Sequence, residues 1–135
     1  MRIGHNNKRN LAYVKKLLIV DDSPAIRHSL RILLENRPDW EVCGEAENGR
    51  VGIEKALQLC PDLILLDLSM PVLNGFEAAR ELHRLLPKVP LVMFTSFIGA
   101  DIEEEALASG IAFVKSKSDG IESLCGSIQD LLRTA

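Results

Sequence analysis

The sequence predicts a doubly wound α/β fold, in which five parallel strands alternate with five helices that cover both faces of the sheet. One indication is a set of short apolar runs without alternation, such as residues 63–66, which are typical of strands buried on both faces. Another is the segment after each run, where apolar residues recur at helical spacing. Strands and helices that alternate in this way are joined by right-handed crossovers, which make the sheet parallel.

The predicted strands differ in how they are buried. The first, third and fourth are continuous apolar runs that end in polar residues. The second alternates apolar and polar residues, which favours a position nearer the sheet edge. The predicted strands comprise residues 17–20, 40–46, 63–68, 89–94 and 111–114.

Residues that favour helix ends separate these strands. Ser23 precedes Pro24, which predicts an N-cap followed by proline at the first helical position. Asn48 and Asn74, each followed by glycine, mark the turns that open the second and third helices. A short acidic helix is predicted at residues 101–109, and the chain closes in a fifth amphipathic helix.

Composition is that of a soluble globular protein of one domain. The chain has 135 residues, 47% of them hydrophobic, and its net charge of −3 does not favour nucleic acid or an anionic membrane. No apolar stretch reaches the roughly 18 residues that a membrane span needs. Three widely spaced cysteines without metal-ligand spacing indicate a reduced chain. We therefore expect a cytoplasmic protein that does not itself bind nucleic acid or membrane.

Polar side chains stand at the ends of the predicted strands, and the carboxyl ends of parallel strands meet at one edge of a sheet. Clustered carboxylates disfavour each other's ionisation, and a hard cation such as Mg²⁺ resolves this. A lysine and a threonine hydroxyl at the same edge suit an anion of phosphate type, so the set indicates a carboxylate that attacks phosphorus. The residues are Asp21 and Asp22 after the first strand, Asp67 after the third, Thr95 after the fourth and Lys117 just past the fifth.

These residues lie in motifs that resemble those of a response regulator receiver domain, the CheY-like module of two-component signalling. The motifs are Leu-Ile-Val-Asp-Asp-Ser at 18–23, Asp-Leu-Ser-Met-Pro at 67–71 followed by Gly75, Thr-Ser at 95–96 and Ser-Lys-Ser at 116–118. The resemblance spans residues 17–132. It implies a flavodoxin-like (βα)5 fold with strand order 2-1-3-4-5, a receiver domain at 16–133 and a flexible N-terminal extension at 1–15.

The resemblance implies a Mg²⁺ site built from carboxylates and one main-chain carbonyl. Asp22 and Asp67 are expected to bind the ion directly, together with the main-chain carbonyl of Ser69. Asp21 is expected to act mainly through water.

The resemblance also implies that Asp67 is the phosphoacceptor for a histidine kinase or a histidine phosphotransfer protein. Thr95 is expected to be the switch hydroxyl and Lys117 the residue that pairs with the phosphoryl group. Lys115 stays an alternative because it directly follows an apolar pair, whereas Lys117 keeps the family's spacing on both sides. On a regular strand both lysines point to the same side.

The sequence departs from the family at the aromatic residue that usually stands three positions before the lysine. That position is Val114 here, and Phe113 is one place away. The departure holds for either lysine, because Ala112 stands three positions before Lys115. It predicts that the usual coupling of the switch hydroxyl to an aromatic side chain is missing or altered.

Three other functions compete with a phosphorylated switch. A pseudo-receiver, a constitutive interaction module without productive phosphorylation, is favoured by Val114. A Mg²⁺-dependent phosphohydrolase is disfavoured because Ser69 stands where an Asp-x-Asp enzyme carries its second acid. A dinucleotide-binding domain is disfavoured more strongly than the phosphohydrolase, because no Gly-x-Gly-x-x-Gly follows the first strand.

The sequence says less about the partner on which the switch acts than about its phosphorylation. The family's usual partner or dimer face lies on the fourth helix, fifth strand and fifth helix, and here it carries acidic residues at 103–105. We expect no catalysis beyond the chain's own phosphorylation and dephosphorylation. The sequence shows no output domain after residue 132, so a stand-alone receiver and a piece of a longer regulator both stay open.

Overall fold

The structure is a computed structural model that describes residues 14–134, with the side chains to Arg133. Within these residues, five strands alternate with five α-helices, and a short 3₁₀ helix follows the last strand. The strands are β1 Lys15–Val20, β2 Trp40–Ala46, β3 Leu63–Leu66, β4 Leu91–Thr95 and β5 Phe113–Ser116. The helices are α1 Pro24–Leu34, α2 Gly49–Leu59, α3 Gly75–Leu85, α4 Ala100–Ala108, the 3₁₀ helix Lys117–Asp119 and α5 Ile121–Thr134.

The strands form one parallel sheet in the order β2-β1-β3-β4-β5. This confirms the predicted flavodoxin-like fold and its strand order. The alternating strand β2 lies at the sheet edge, as its pattern predicted. Strands β1 and β3 are neighbours, so the polar residues that follow them lie side by side.

Two apolar layers sandwich the sheet, which explains why the inner strands do not alternate. Leu18 and Val20 of β1 pack on the layer formed with α2, α3 and α4. Leu17 and Ile19 pack on the opposite layer with α1 and α5. All four residues of β3 are at most 2% exposed, so both faces of this strand are buried.

The predicted helix starts are confirmed by their hydrogen bonds. The Ser23 hydroxyl accepts the Ile26 N–H at 3.2 Å, and Pro24 occupies the first turn of α1. The Asn48 side chain caps α2 through the Val51 N–H. A capping box with Asn74 opens α3.

The last strand lies two residues later than predicted. Ile111 is buried, but its N–H bonds the Ala106 carbonyl, so it belongs to the turn after α4. Strand β5 instead includes Lys115, which pairs with Phe94. Burial of an apolar residue and membership of a strand are separate properties, and the sequence pattern did not separate them here.

The predicted N-terminal extension falls almost wholly outside the described residues, which begin at Val14. The receiver boundaries at 16 and 133 stay a prediction. Among residues 14–134, none of the helices has the length and hydropathy to cross a bilayer.

Gly75 fixes the loop that follows β3. A Cβ atom on Gly75 would lie 2.4 Å from the main-chain oxygen of Asp67 and 2.9 Å from the Leu68 Cα. The Gly75 N–H also bonds the Leu68 carbonyl at 2.8 Å. The start of α3 therefore packs directly against the end of β3, and glycine is needed for that close approach.

We predict that Gly75→Ala lowers the free energy of unfolding by about 2 kcal/mol, because overpacking against backbone cannot be relieved by a rotamer change. Gly126→Ala is the matched control, since a Cβ there meets no atom within 4 Å. In the exposed middle of α5 this change is expected to raise stability by about 0.5–1 kcal/mol. Urea unfolding measures both, and equal effects would contradict the packing argument.

Candidate functional site: an acidic pocket at the sheet edge

Three carboxylates meet at the carboxyl edge of the sheet. The Asp21 N–H bonds the Ala46 carbonyl at 3.0 Å, and the Asp67 N–H bonds the Val20 carbonyl at 2.9 Å, so both residues continue the strand ladder. The carboxylate oxygens of Asp21, Asp22 and Asp67 lie within 4.8 Å of one another. Backbone pairing of neighbouring strands therefore brings together residues that are far apart in the chain.

The carboxylates differ in burial and in the donors that hold them. Asp21 is 2% exposed and Asp67 is 6% exposed. Asp21 Oδ1 accepts the Ser23 N–H at 2.9 Å, and Asp67 Oδ1 accepts the Leu68 N–H at 2.8 Å. Asp22 is exposed, and its carboxylate receives no hydrogen bond from the described part of the chain.

Lys117, and not Lys115, reaches the carboxylates. Lys117 Nζ lies 3.0 Å from Asp21 Oδ2 and 3.4 Å from Asp67 Oδ2. Lys115 Nζ instead donates to Ser123 Oγ at 3.1 Å, on α5. The expectation that the two lysines share one side assumed a regular strand, but β5 ends at Ser116 and Lys117 begins a 3₁₀ helix.

Burial and charge both act on the protonation of the pocket. Burial raises the pKa of Asp67, and the Asp21 charge raises it further against the opposing effect of Lys117. Burial lowers the pKa of Lys117, but its hydrogen bonds and ion pairs with the two carboxylates outweigh this and leave the pKa raised. The pocket thus holds a stable ammonium group and an Asp67 carboxylate that is disfavoured in its charged form.

The residues fit a hard divalent cation. All the side-chain donor atoms of the cluster are oxygens, and the free, exposed Asp22 carboxylate leaves room for water ligands, as Mg²⁺ requires. Both Asp21 oxygens already face protein donors, which favours an indirect role for this residue. The remaining predicted contributor, Ser69, is exposed in the loop two residues after Asp67.

Thr95 ends β4, next to β3, and is fully buried. Its Oγ1 accepts the Phe97 N–H at 3.2 Å. Val114 of β5 pairs with Met93 and packs on the same layer as α4, whereas Phe113 packs on the opposite layer. Phe113 therefore does not replace the missing aromatic side chain at the Val114 position.

Arg27 also contacts this pocket, although no sequence pattern indicated it. Its Nη1 donates to the main-chain carbonyl of Asp21 at 2.6 Å. A lone arginine on a helix is usually a solvated residue, and only the three-dimensional structure reveals this contact.

A comparison with protein families agrees with this geometry. The model of the response regulator receiver domain matches residues 17–129. The chain belongs to this family. Fold, acidic cluster and family model thus agree that it is a receiver domain of the two-component type.

Two similar proteins contain this domain as part of a longer chain. The protein-glutamate methylesterase/protein-glutamine glutaminase of Nocardioides sp. is 36% identical over 118 residues, which are 86% of this chain and 32% of that protein. The transcriptional regulatory protein LiaR of Bacillus subtilis is 35% identical over 120 residues, 89% of this chain and 55% of LiaR. The receiver chain thus spans about a third of the former and about half of the latter.

Solved receiver structures superpose closely. The response regulator domain of Thermotoga maritima CheB is 32% identical with a TM-score of 0.80, covering 90% of this chain and 96% of that one. A LuxR-family two-component response regulator from Aurantimonas sp. SI85-9A1 has a TM-score of 0.86 at 26% identity, covering 90% of this chain and 86% of that one.

We predict that Asp67→Asn stabilises the receiver at neutral pH when a chelator is present. The raised pKa of Asp67 means that the folded state binds this proton more tightly than the unfolded state. Protonated Asp67 therefore stabilises the fold, and this contribution is complete below the ordinary pKa of 3.8. It is lost as the pH rises through the raised pKa, so ionised Asp67 lowers the stability of the fold near neutral pH.

Urea unfolding at neutral and at acidic pH measures this effect. The gain from Asp67→Asn is expected to shrink as the pH falls, because the unaltered residue then becomes neutral by itself. Glu104→Gln on exposed α4 is the control for loss of one negative charge. A destabilised Asp67→Asn variant at neutral pH would contradict the electrostatic account.

Proposed function

We propose that the chain is a phosphorylatable switch in which Asp67 accepts a phosphoryl group in a Mg²⁺-dependent reaction. The observation that carries the proposal is the convergence of three carboxylates with a lysine ammonium that contacts two of them. Carboxylates alone suit a cation, and the lysine supplies the charge that an incoming phosphoryl group needs. The family supports the same chemistry.

In the proposed reaction an Asp67 oxygen attacks phosphorus on a phosphohistidine of the partner. The oxygen–phosphorus bond forms while the nitrogen–phosphorus bond breaks, and the imidazole leaves with the electron pair and takes up a proton. Asp22, Asp67 and the main-chain carbonyl of Ser69 would hold the Mg²⁺ ion, which would supply electrostatic stabilisation of the phosphoryl oxygens.

The chain's own polar groups then hold the product. Lys117, whose raised pKa keeps it an ammonium, is assigned to the phosphoryl oxygens, which would replace part of its present contact with Asp67. Thr95 is assigned the hydrogen bond that reports the modification. To make that bond, the Thr95 hydroxyl has to reorient, and this would change its present hydrogen bond with the Phe97 N–H.

A histidine kinase or a histidine phosphotransfer protein is the proposed donor. The proposed output face is formed by α4, β5 and α5, through which a second copy or an output partner would bind. Its exposed acidic residues Glu103 and Glu104 set the charge that such a partner meets. We propose no enzymatic activity beyond the receiver's own phosphorylation and dephosphorylation, and no direct contact with nucleic acid or membrane.

A pseudo-receiver is the second candidate, and Val114 is the observation that favours it. The position packs in the layer of α4 without an aromatic ring that could exchange between inward and outward positions. A module of this kind would bind its partner constitutively. It predicts that the surface is unchanged when a phosphoryl mimic is added.

We predict that acetyl phosphate with Mg²⁺ adds one phosphoryl group to the chain, measured by intact-protein mass spectrometry. Asp67→Asn should abolish the addition and leave the fold intact, as circular dichroism would show. Absence of modification in the unaltered chain, combined with absence of Mg²⁺ binding, would favour the pseudo-receiver instead.

The two lysines provide a matched control for the same assay. Lys117→Met should slow the modification about 100-fold, because it removes the cation that stabilises the phosphoryl oxygens. Lys115→Met removes the same charge from a residue that contacts Ser123 on α5, and the rate should stay within about twofold. Equal losses in the two variants would reject the assignment of Lys117.

A further inference from the structure

Arg27, in the first turn of α1, links the loop after β1 to the edge strand β2. Its Nη1 donates to the Asp21 carbonyl at 2.6 Å, and its Nε donates to Glu45 Oε1 at 3.0 Å. The Arg27 side chain is 17% exposed, so the guanidinium lies largely out of solvent. One planar group thus holds two acceptors from different elements in a fixed geometry.

The bond to the Asp21 carbonyl has a consequence for the next residue. That carbonyl shares one planar peptide group with the N–H of Asp22. A hydrogen-bond donor that holds the carbonyl oxygen therefore fixes the orientation of the peptide plane that precedes Asp22. This matters because the Asp22 carboxylate receives no hydrogen bond from the described residues and depends on its backbone for position.

Glu45 holds the guanidinium in place. Its second oxygen accepts Arg31 Nε at 2.7 Å, so two arginines share one carboxylate. Burial raises the pKa of Glu45, but the hydrogen bonds from Arg31 and Arg27 outweigh it and lower the pKa, which keeps the carboxylate charged. Glu45 pairs with Ile19 across the sheet, so this support is anchored in the β1–β2 ladder.

We propose that Arg27 is a positioning residue for Mg²⁺ binding: it fixes the peptide group between Asp21 and Asp22 and so presents the Asp22 carboxylate to the ion. The inference rests on the proposed function, because it concerns the metal of the same pocket. A residue that orients a ligand in this way affects metal affinity without touching the ion, by about 10–100-fold.

Arg31 is the comparison that separates positioning from stability. It makes the same type of ion pair with Glu45 and lies one helical turn further along α1. Its Nη1 reaches the Val42 carbonyl on β2 and not the Asp21 carbonyl. Loss of either arginine removes one ion pair with Glu45, but only loss of Arg27 releases the peptide group before Asp22.

The experiment is a calorimetric titration of the full chain with Mg²⁺ alone, for the unaltered protein, Arg27→Met and Arg31→Met. Urea unfolding without Mg²⁺ measures the stability of each in parallel. We expect Arg27→Met to weaken Mg²⁺ binding about tenfold and Arg31→Met to change it less than about twofold, with similar losses of stability.

Equal changes in Mg²⁺ affinity for the two variants, or no change in Arg27→Met, would overturn the inference and leave the proposed function intact. Absence of Mg²⁺ binding by the unaltered chain would contradict the proposed function and this inference with it. If Arg27→Met does not fold, the pair Arg27→Lys and Arg31→Lys replaces it. Lysine lacks the rigid planar fork with which Arg27 spans the Asp21 carbonyl and Glu45, so Arg27→Lys should weaken Mg²⁺ binding more than Arg31→Lys.

Discussion

The Lys117 ammonium lies between two buried carboxylates, and the pocket depends on this contact. The buried Asp21 charge disfavours ionisation of Asp67, and loss of Lys117 would leave both buried carboxylates without their shared cation, which is strongly destabilising. Lys117 makes this contact from the first position of the 3₁₀ helix that follows β5. The Ser116 hydroxyl stabilises this turn by accepting the Ser118 N–H at 3.1 Å.

The apolar sheet supports a polar edge that is electrostatically unfavourable by itself. Burying a branched apolar side chain stabilises a fold by about 1.5–3 kcal/mol, and the apolar residues of β1 and β3 are buried on both faces. This surplus allows β3 to be followed by Asp67, whose charged form is disfavoured. The same rigidity holds Asp21 and Asp67 in register, because their N–H groups continue the ladders of neighbouring strands.

Much of this arrangement could be predicted from local sequence. The double-sided burial of residues 63–66 and the cap at Ser23 follow from short-range patterns that the structure retains. The parallel connection then brings Asp21, Asp22 and Asp67 to one edge without further information. Strand order followed from the family resemblance, because hydrophobic patterns alone do not specify which strands are neighbours.

Other features depend on contacts that no local pattern contains. The choice between Lys115 and Lys117 turns on where β5 ends, and the apolar residue Ile111 shifted the predicted strand toward the turn after α4. The role inferred for Arg27 arises because its side chain reaches from α1 to the loop after β1. In the sequence, its position on the helix looks like that of any solvent-exposed arginine. The effect of Val114 on the switch likewise cannot be predicted from the sequence, because it concerns a change between the unphosphorylated and phosphorylated states.

The most direct test of Asp67 as a Mg²⁺-dependent phosphoacceptor is a crystal structure of the chain grown with Mg²⁺ and beryllofluoride, which mimics the phosphoryl group. We expect density for beryllium bonded to Asp67, an ion held by the carboxylates of Asp22 and Asp67, and Lys117 in contact with the fluorides. An unmodified Asp67 without an ion, with Lys117 still between Asp21 and Asp67, would contradict this role of Asp67.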